Sequence, residues 1–340
     1  MLKIGLNGLG RLGRSIVREG LKRGDVEFVG LHDIANGEML AYLLENDSVH
    51  KRVFESVTFT PKNEHYGILH FYPISPHRQK ATIPLFCNLA REELDLSNAS
   101  VVIESSGKFL DSASMQTHLQ KGVKKIIISA PAIDDTPTFV LGVNEECYNN
   151  EPVISNASCT TNCLAPICKV LDYEFGIQSG VLSTIHSYTY DQNLLDNAHR
   201  SDKRRARTAA LNIIPTSTGA AKALYKVLPN LKDKLHGHSL RVPVADVSMV
   251  DFSVKLDKNP SAKEINDALS YASKTNMNKI LQIDEKFRVS SDFIDNPYSA
   301  IVASDLTLTL PNGLAKIMAW YDNECGYANR ILDMAKFIHS

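Results

Sequence analysis

The first half of the chain alternates short apolar runs with segments of helical apolar spacing. Leu2 to Leu6 and Val26 to Leu31 have the length and the branched side chains of buried strands, and Arg11 to Lys22 between them repeats apolar residues every three or four positions. Further strand-like runs lie at Val101 to Glu104, Lys125 to Ser129, Phe139 to Val143 and Pro152 to Ile154. Strands that alternate with helices predict an α/β fold with a doubly wound, mostly parallel sheet.

Beyond residue 158 the pattern changes to longer strands. Helical spacing covers Thr160 to Phe175 and, near the end of the chain, Tyr327 to Ile338. The strand-like runs between them are Ile177 to Ile185, Leu240 to Leu256, Ile301 to Leu310 and Leu314 to Tyr321. The turn signal Pro311-Asn312-Gly313 joins the last two runs as a hairpin. We therefore expect the second half to be an α+β unit with a large, mostly antiparallel sheet.

A glycine loop connects the first predicted strand to the first predicted helix. Gly8-Leu9-Gly10-Arg11-Leu12-Gly13 has the G-x-G-x-x-G spacing, which permits a tight turn and brings backbone close to a pyrophosphate resting on the helix N-terminus. Asp33 ends the next strand about 20 residues later, where an acidic side chain can accept hydrogen bonds from an adenosine ribose. A glycine turn that only packs helix on strand is the alternative, and the strand-loop-helix context favours dinucleotide binding.

Cys159 lies where a predicted strand gives way to a predicted helix, with hydroxyl residues on both sides. Free backbone N–H groups and the positive end of the helix dipole favour a thiolate at such a position. Most cysteines are instead small buried core residues. His186 follows a β-branched run and is a candidate to take the thiol proton, although a chance pairing of cysteine with histidine is common. A thiol hydrolase would share this pair but would leave the glycine loop without a purpose.

Composition narrows the class of protein. A length of 340 residues suggests two domains, and a net charge of −1 argues against nucleic acid or an anionic membrane as the main partner. The six cysteines form no even disulfide framework and no pair of C-x-x-C metal clamps, so we expect a reducing cytoplasmic location and no metal. No apolar run approaches the roughly 18 residues that span a bilayer.

Several blocks together resemble one known family. The blocks are Gly5 to Arg14, Ala157 to Cys163, His186 to Thr189, Arg204 to Arg207, Pro215 to Ala223 and Trp320 to Glu324. In this order they resemble the phosphorylating glyceraldehyde-3-phosphate dehydrogenases, and the resemblance covers essentially the whole chain. The weakest part runs from about Lys51 to Leu96, where His65, His77 and Arg78 stand in unfamiliar surroundings.

The resemblance implies a fold, a reaction and an assembly. The fold would be a Rossmann-type dinucleotide-binding domain over 1–158, a catalytic domain over 159–322, and a C-terminal helix over 323–340 that packs back on the first domain. The reaction would be reversible oxidative phosphorylation of D-glyceraldehyde 3-phosphate to 1,3-bisphosphoglycerate, which serves glycolysis and gluconeogenesis. Cys159 would carry a thiohemiacetal and then a thioester, His186 would act as acid and base, and the partners would be the substrate, inorganic phosphate and three further copies in a homotetramer.

The resemblance also assigns binding residues. For the attacking inorganic phosphate it implies Ser158, Thr160, Thr218 and Gly219, and for the substrate phosphate it implies Thr189 and Arg241, with Arg205 close to both. The cofactor-binding residues that it implies are Asn7, Gly8, Gly10, Arg11, Leu12, Gly13, Asp33, Ser105, Ser106, Gly107, Ser129, Asn323 and Tyr327. Arg204 and Arg207 fit a solvated basic run or subunit contacts equally well.

Cofactor choice and substrate choice leave alternatives open. Asp33 favours NAD because its carboxylate would repel a ribose 2′-phosphate, whereas Asn197-Ala198 stands where NAD-restricted members carry Leu-Pro and opens room for NADP. We expect NAD to be preferred and NADP to be accepted. An erythrose-4-phosphate dehydrogenase and a non-catalytic binding protein on the same fold are the alternatives in function. The Thr216 to Gly219 stretch matches the glyceraldehyde type.

Overall fold

The computed structural model describes residues 1–78 and 80–340 and forms two compact units. The first unit contains Met1–Phe139, Cys147–Ala157 and Ala328–Ser340, and the second contains Val140–Glu146 and Ser158–Tyr327. Across the described part of the chain, no helix combines the length and the apolar character needed to cross a membrane.

The first unit is built on an eight-stranded sheet in the order β3-β4-β5-β2-β1-β6-β7-β8. The strands are β1 (Leu2–Asn7), β2 (Val26–Asp33), β3 (Phe54–Pro61), β4 (Tyr66–Pro73), β5 (Ala81–Cys87), β6 (Val101–Glu104), β7 (Lys125–Ile128) and β8 (Val153–Ser155), and the helices are α1 (Arg11–Arg23), α2 (Gly37–Glu45) and α3 (Gln116–Gln120). In this spatial order, every pair of neighbouring strands from β5 onwards is parallel, whereas β4 pairs antiparallel with both β3 and β5. The predicted doubly wound sheet is confirmed, and the divergent segment supplies its antiparallel edge.

One predicted strand of this half is wrong. Phe139 to Val143 forms a turn, and only Thr138 makes an isolated bridge, to Ser155. The N–H groups of Val143 and Asn144 both donate to the carbonyl of Val140, and Gly142 has φ +80°. The Asn144 side chain closes the turn by accepting the N–H of Val140 at 2.9 Å. Local hydrogen bonding therefore replaces the strand ladder that the apolar run favours.

The second unit contains another eight-stranded sheet, in the order β10-β11-β9-β12-β16-β14-β13 with β15 paired to β16. Its strands are β9 (Ile177–Ser187), β10 (Ile214–Ser217), β11 (Leu235–Val242), β12 (Ser248–Leu256), β13 (Leu281–Asp284), β14 (Ala300–Ala303), β15 (Leu308–Thr309) and β16 (Leu314–Tyr321), and its helices are α4 (Cys159–Phe175), α5 (Ala220–Val227) and α6 (Ala262–Lys274). Helix α7 (Cys325–His339) begins here and continues into the first unit. Most pairs are antiparallel, as predicted, but β9 pairs parallel with β11 and β13 parallel with β14.

Two long predicted strands are interrupted. Leu240 to Leu256 is divided between β11 and β12, which lie on opposite sides of β9, because Pro243 lacks an N–H and Val247 takes φ +66°. Ile301 to Leu310 is divided between β14 and β15 by a single 3₁₀ turn over Ser304–Leu306. The predicted hairpin at Pro311-Asn312-Gly313 is confirmed, with Gly313 at φ +80°.

A buried carboxylate fixes the start of α1 to the end of α2 within the first unit. Asp47 accepts the N–H groups of Val49 and His50 at 2.9 and 3.0 Å, and it accepts Nη1 of Arg11 at 2.7 Å. Burial alone would raise the pKa of Asp47, but these N–H groups and the charges of Arg11 and Arg18 outweigh burial and lower the pKa to about 2. The folded chain therefore stabilises the ionised carboxylate of Asp47 more than the unfolded chain does.

We expect Asp47→Asn to lower the free energy of unfolding at pH 7 by on the order of 2 kcal/mol, the equivalent of the lowered pKa. The pKa is depressed in the folded state, so this stabilisation is present above about pH 4 and is lost as the pH falls towards 2. Urea unfolding between pH 3 and pH 7 measures it, with Asp135→Asn at an exposed carboxylate as the control for loss of charge. A pH-independent difference between Asp47→Asn and the unmodified chain would contradict the assignment.

Candidate active site

Cys159 is the first residue of α4, four residues after the last residue of β8. Ser158 caps the helix, since its Oγ accepts the N–H of Thr161 at 3.1 Å. The chain reverses at Ala157, which has φ +58° and is buried. Such a backbone conformation is costly for a residue with a side chain, and it makes the turn from strand to helix sharp.

His186, near the end of β9, faces this thiol. Its Nε2 lies 3.6 Å from Sγ of Cys159. Its other ring nitrogen, Nδ1, lies 2.7 Å from the carbonyl oxygen of Ser187, which can only accept, and 3.1 Å from Nη1 of Arg241, which can only donate. The carbonyl is the nearer partner, and Nη1 has two other acceptors, so we assign the proton to Nδ1. Nε2 therefore presents a lone pair to the thiol, in the orientation of a base.

Burial favours the neutral form of both members of this pair. Burial raises the pKa of the Cys159 thiol, against the opposing effects of the Arg241 charge and the Thr160 hydroxyl. Burial, with the Arg241 charge acting in the same direction, lowers the pKa of His186 to about 3. Burial therefore opposes the thiolate that the start of the helix is expected to favour.

Arg241 lies beside the pair because β11 runs parallel to β9 with Arg241 opposite His186. Its Nη1 donates to Oγ1 of Thr189 at 3.0 Å and to the carbonyl of Ser187 at 3.1 Å. Its Nε is buried and has no hydrogen-bond partner among the described residues. A buried guanidinium with an unused donor is suited to an anion.

A carboxylate links the remaining groups of this cluster. Asp191 accepts the hydroxyl of Thr189 and forms an ion pair with Arg205, whose Nε also donates to Oγ1 of Thr216 at 3.0 Å. Thr189, Arg205 and Arg241 are thus brought together as predicted neighbours, with Asp191 holding donors that a phosphate would use. Sequence reasoning missed Asp191, although it lies only two residues after Thr189.

The other predicted phosphate ligands lie at the N-termini of α4 and α5. Oγ1 of Thr160 lies 2.9 Å from the hydroxyl of Tyr321. Thr218 accepts the N–H of Ala220, and Gly219 is the exposed N-cap of α5. The hydroxyls of Ser158 and Thr160 therefore already have protein partners, whereas Gly219 leaves the start of α5 open. Arg204 and Arg207 are exposed, and Arg207 pairs with Asp196.

Sequence reasoning gave no role to Tyr321, which is fully buried under this site. Its hydroxyl lies 2.9 Å from Oγ1 of Thr160 and 2.9 Å from Oγ1 of Thr184, and its ring meets that of His186 edge to face at 6.0 Å. Burial raises the pKa of Tyr321, so the hydroxyl stays protonated. The inward position of Tyr321 at the end of β16 was the signal that could have revealed it.

In the first unit, the glycine loop has the shape that a dinucleotide requires. Gly8 has φ +97°, and a Cβ there would lie 2.6 Å from the backbone nitrogen of Ser106. A Cβ on Gly13 would lie 1.9 Å from the carbonyl oxygen of Gly8, whereas the space beside Gly10, the N-cap of α1, is open. Ser105 contributes a buried Oγ that has no hydrogen-bond partner among the described residues.

Other predicted cofactor residues of this unit position the loops. Asp33 accepts the N–H groups of Leu9 at 2.7 Å and Ala35 at 2.9 Å, so its carboxylate lies against the glycine loop. Arg11 uses its guanidinium on Asp47, and Leu12 is half-buried in the first turn of α1. Gly107 takes φ +70° in the turn after β6.

Glu104 connects the turns after β1 and β6, and sequence reasoning missed it. It accepts Nδ2 of Asn7 at 2.5 Å and both the N–H and the hydroxyl of Ser106, and its carbonyl accepts the N–H of Ser129. Burial raises the pKa of Glu104 against these hydrogen bonds. Asn7 and Ser106 are therefore held by the buried carboxyl group of Glu104, and Ser129 is held by the backbone carbonyl of the same residue.

Two predicted cofactor residues belong to the second unit. Asn323 is buried, and its Oδ1 accepts the hydroxyls of Ser187 at 2.9 Å and Ser248 at 2.7 Å. Tyr327 is buried in α7, and burial raises its pKa. The Asn197-Ala198 pair lies in an exposed loop, where Nδ2 of Asn193 donates to the carbonyl of Asn197.

We expect iodoacetamide to alkylate Cys159 with the help of His186. His186→Asn should slow labelling of Cys159 about 10²-fold, the lower part of the range for a positioned base, and leave exposed Cys147 unchanged as an internal control. Cys163 is buried one turn further along α4 and should not react. Peptide mapping of timed samples measures the labelling rates of Cys147, Cys159 and Cys163. An unchanged labelling rate of Cys159 in His186→Asn would show that His186 does not act on this thiol.

The comparisons with known proteins agree over both halves of the chain. Residues 2–112 match the family model described as glyceraldehyde 3-phosphate dehydrogenase, NAD binding domain, and residues 158–323 match that described as its C-terminal domain. The chain is 50% identical to the glyceraldehyde-3-phosphate dehydrogenase of Helicobacter pylori over 99% of both chains. It is 44% identical to that of Priestia megaterium and 43% identical to glyceraldehyde-3-phosphate dehydrogenase 1 of Bacillus subtilis, each over 99% of this chain and 98% of the relative. The chain belongs to the glyceraldehyde-3-phosphate dehydrogenase family.

Proposed function

We propose that Cys159 and His186 carry out the reaction of this family, reversible oxidative phosphorylation of D-glyceraldehyde 3-phosphate to 1,3-bisphosphoglycerate with NAD. The observation that carries this assignment is the 3.6 Å approach of Nε2 to Sγ, with the Nε2 lone pair directed at the thiol. Oxidation of erythrose 4-phosphate is not favoured, because the relatives above are named for glyceraldehyde 3-phosphate.

The residues present fit the cofactor. Gly8 and Gly13 allow the tight turn of the loop, because a Cβ at either would collide with backbone atoms, and Asp33 lies against the same loop with a carboxylate suited to ribose hydroxyls. Gly10 leaves the N-terminus of α1 open for the pyrophosphate, and Asn323 offers an amide for the nicotinamide. When bound, the nicotinamide ring supplies the acceptor for the hydride that leaves the substrate.

His186 moves a proton in each half of the reaction. As Sγ adds to the aldehyde carbon, Nε2 takes the thiol proton and passes it to the carbonyl oxygen, which gives a thiohemiacetal on Cys159. Nε2 then takes the hydroxyl proton while the carbon loses hydride, which leaves a thioester. An oxygen of inorganic phosphate attacks the thioester carbon and the C–S bond breaks, so that the sulfur leaves and recovers its proton from His186. The backbone N–H of Cys159 and the protonated imidazole are suited to stabilise the oxyanions.

Two phosphate sites flank the thiol in this proposal. Arg241 and Thr189, with Arg205, hold the substrate phosphate. The phosphate replaces Asp191 as the acceptor for the Thr189 hydroxyl and the Arg205 guanidinium. Ser158, Thr160, Thr218 and Gly219 receive inorganic phosphate. The open start of α5 at Gly219 supports the second site, because backbone N–H groups there are free to face an anion.

Assembly into a homotetramer in a reducing cytoplasm completes the proposal. Large apolar side chains are exposed on the second unit, among them Tyr190, Leu194, Leu195, Leu211 and Ile213. Such side chains are costly to leave in water and support burial against further copies. All six cysteines are free, which suits a reducing compartment. Sedimentation equilibrium tests the assembly, and a mass of one chain would contradict it.

The direct test of function is the initial rate of NAD reduction with D-glyceraldehyde 3-phosphate and inorganic phosphate. Steady turnover should require all three reactants and should be abolished by Cys159→Ser, because a hydroxyl cannot replace the thiol as nucleophile at neutral pH. Circular dichroism and NAD binding should be unchanged in that variant. Undiminished turnover by Cys159→Ser would refute the assignment of the nucleophile.

We expect Arg241→Ala to lower kcat/KM for glyceraldehyde 3-phosphate by roughly 10- to 100-fold more than for unphosphorylated glyceraldehyde. This factor corresponds to the loss of charged hydrogen bonds to the phosphate. Arg207→Ala, at an exposed arginine paired with Asp196, is the matched control and should change neither rate. An equal loss of kcat/KM for both aldehydes would show that Arg241 does not bind the substrate phosphate and that it instead positions His186.

Asp33 should set the preference for NAD over NADP. We expect the unmodified chain to use both cofactors with a higher kcat/KM for NAD, and Asp33→Gly to raise the NADP to NAD ratio by roughly tenfold or more, equivalent to about 1.4 kcal/mol. Asp33→Asn keeps an acceptor for the Leu9 N–H and so separates loss of charge from loss of that hydrogen bond. A strong preference of the unmodified chain for NADP would show that the carboxylate does not face the ribose.

A further inference from the structure

The three central strands of the second sheet bring two buried serines to one amide. Ser187 ends β9, Ser248 begins β12, and Asn323 follows β16 by two residues. Strand β12 pairs with both neighbours, and Ser248 lies opposite Tyr321 in the register of β12 and β16. The relative positions of the three side chains are therefore set by strand pairing.

The hydrogen bonds around Asn323 have a defined direction. Oγ of Ser248 accepts the N–H of Ser187 at 3.1 Å, and its own proton is directed to Oδ1 of Asn323 at 2.7 Å. Oγ of Ser187 donates to the same Oδ1 at 2.9 Å. Ser187 and Ser248 are 0% and 1% exposed, so neither hydroxyl proton has water as an alternative acceptor.

This arrangement selects one orientation of the amide. With the amide reversed, Nδ2 would face both serines and their two buried hydroxyl protons would meet amide protons in place of an acceptor. The observed orientation satisfies both hydroxyls and leaves Nδ2 as the end of the side chain that the serines do not engage. Asn323 as a whole is 9% exposed.

We propose that Ser187 and Ser248 are positioning residues that hold Asn323 as a hydrogen-bond donor to the carboxamide oxygen of nicotinamide. The proposal rests on the proposed function, in which Asn323 faces the nicotinamide. In this proposal the two serine hydroxyls act on the cofactor only through the amide of Asn323. Because a carboxamide oxygen can only accept, a donor held by two serines fixes one rotation of the carboxamide about its bond to the ring.

Ser187 also holds His186 through its backbone, and this contact is independent of the hydroxyl. Its carbonyl accepts Nδ1 of His186 at 2.7 Å and Nη1 of Arg241 at 3.1 Å. Substitution of the Ser187 side chain by alanine removes the hydroxyl and keeps this carbonyl. Any effect of Ser187→Ala on cofactor binding can thus be separated from the orientation of the base.

The test is calorimetric binding of three dinucleotide probes to the full chain and its variants. The probes are NAD, 3-acetylpyridine adenine dinucleotide, which keeps the ring carbonyl but lacks the amide nitrogen, and ADP-ribose, which lacks the ring. For Ser187→Ala and for Ser248→Ala we expect the Kd of both NAD and the acetylpyridine analogue to rise about tenfold, as for loss of one buried hydrogen bond, with ADP-ribose unchanged. Ser248→Thr, which retains a hydroxyl, should restore much of the loss.

A matched control is Ser239→Ala, at a buried serine of β11 whose hydroxyl donates to the carbonyl of Thr184 and not to Asn323. It should leave all three Kd values unchanged. Unchanged NAD binding in Ser187→Ala and Ser248→Ala, or an equal loss for ADP-ribose, would overturn the positioning role. A loss for NAD without a loss for the acetylpyridine analogue would show that Asn323 accepts from the amide nitrogen, contrary to the proposal. Failure of the unmodified chain to bind NAD would contradict the proposed function itself.

Discussion

The hydrogen bond from Nδ1 of His186 to the carbonyl of Ser187 is the interaction on which the site depends. It fixes the tautomer of the imidazole and turns the Nε2 lone pair to the thiol of Cys159. A flipped or rotated ring would leave a buried thiol with a raised pKa and no base to take its proton. The hydroxyl of the same residue donates to Oδ1 of Asn323, so one position at the end of β9 contacts both His186 and the amide that we propose for the cofactor.

The sheet of the second unit explains why this position is so well defined. Strand β9 is paired on both sides, parallel with β11 and antiparallel with β12, and these strands bring Arg241 and Ser248 to its end. Tyr321, from β16, lies beneath and joins Thr160 of α4 to Thr184 of β9 through its hydroxyl. Buried polar groups that satisfy one another in this way favour one arrangement, because each broken partnership leaves an unpaired buried group.

Local sequence signals predicted the glycine loop and the start of α4, because each is encoded within a few residues. His186 lies 27 positions from Cys159, so the residues made it only a candidate and the family resemblance assigned its role. The strand at Phe139 to Val143 failed because Asn144 and Gly142 favour a turn that apolar content does not reveal. The division of Leu240 to Leu256 depends on pairing with β9, which no local pattern contains. Glu104, Asp191 and Tyr321 were missed for a related reason, since their partners are brought to them by the fold. The thiolate expected from the helix terminus ignored burial, which acts in the opposite direction.

The central claim is that His186 takes the proton when the substrate bound to Cys159 is oxidised, and a single turnover without inorganic phosphate tests it most directly. Mixed rapidly with NAD and glyceraldehyde 3-phosphate, the unmodified chain should form at most one reduced cofactor per chain and a thioester that peptide mapping places on Cys159. In His186→Asn the same burst should be slower by roughly 10²- to 10⁴-fold, the usual contribution of a positioned base. An equally fast burst in that variant, or a thioester on another cysteine, would contradict the account.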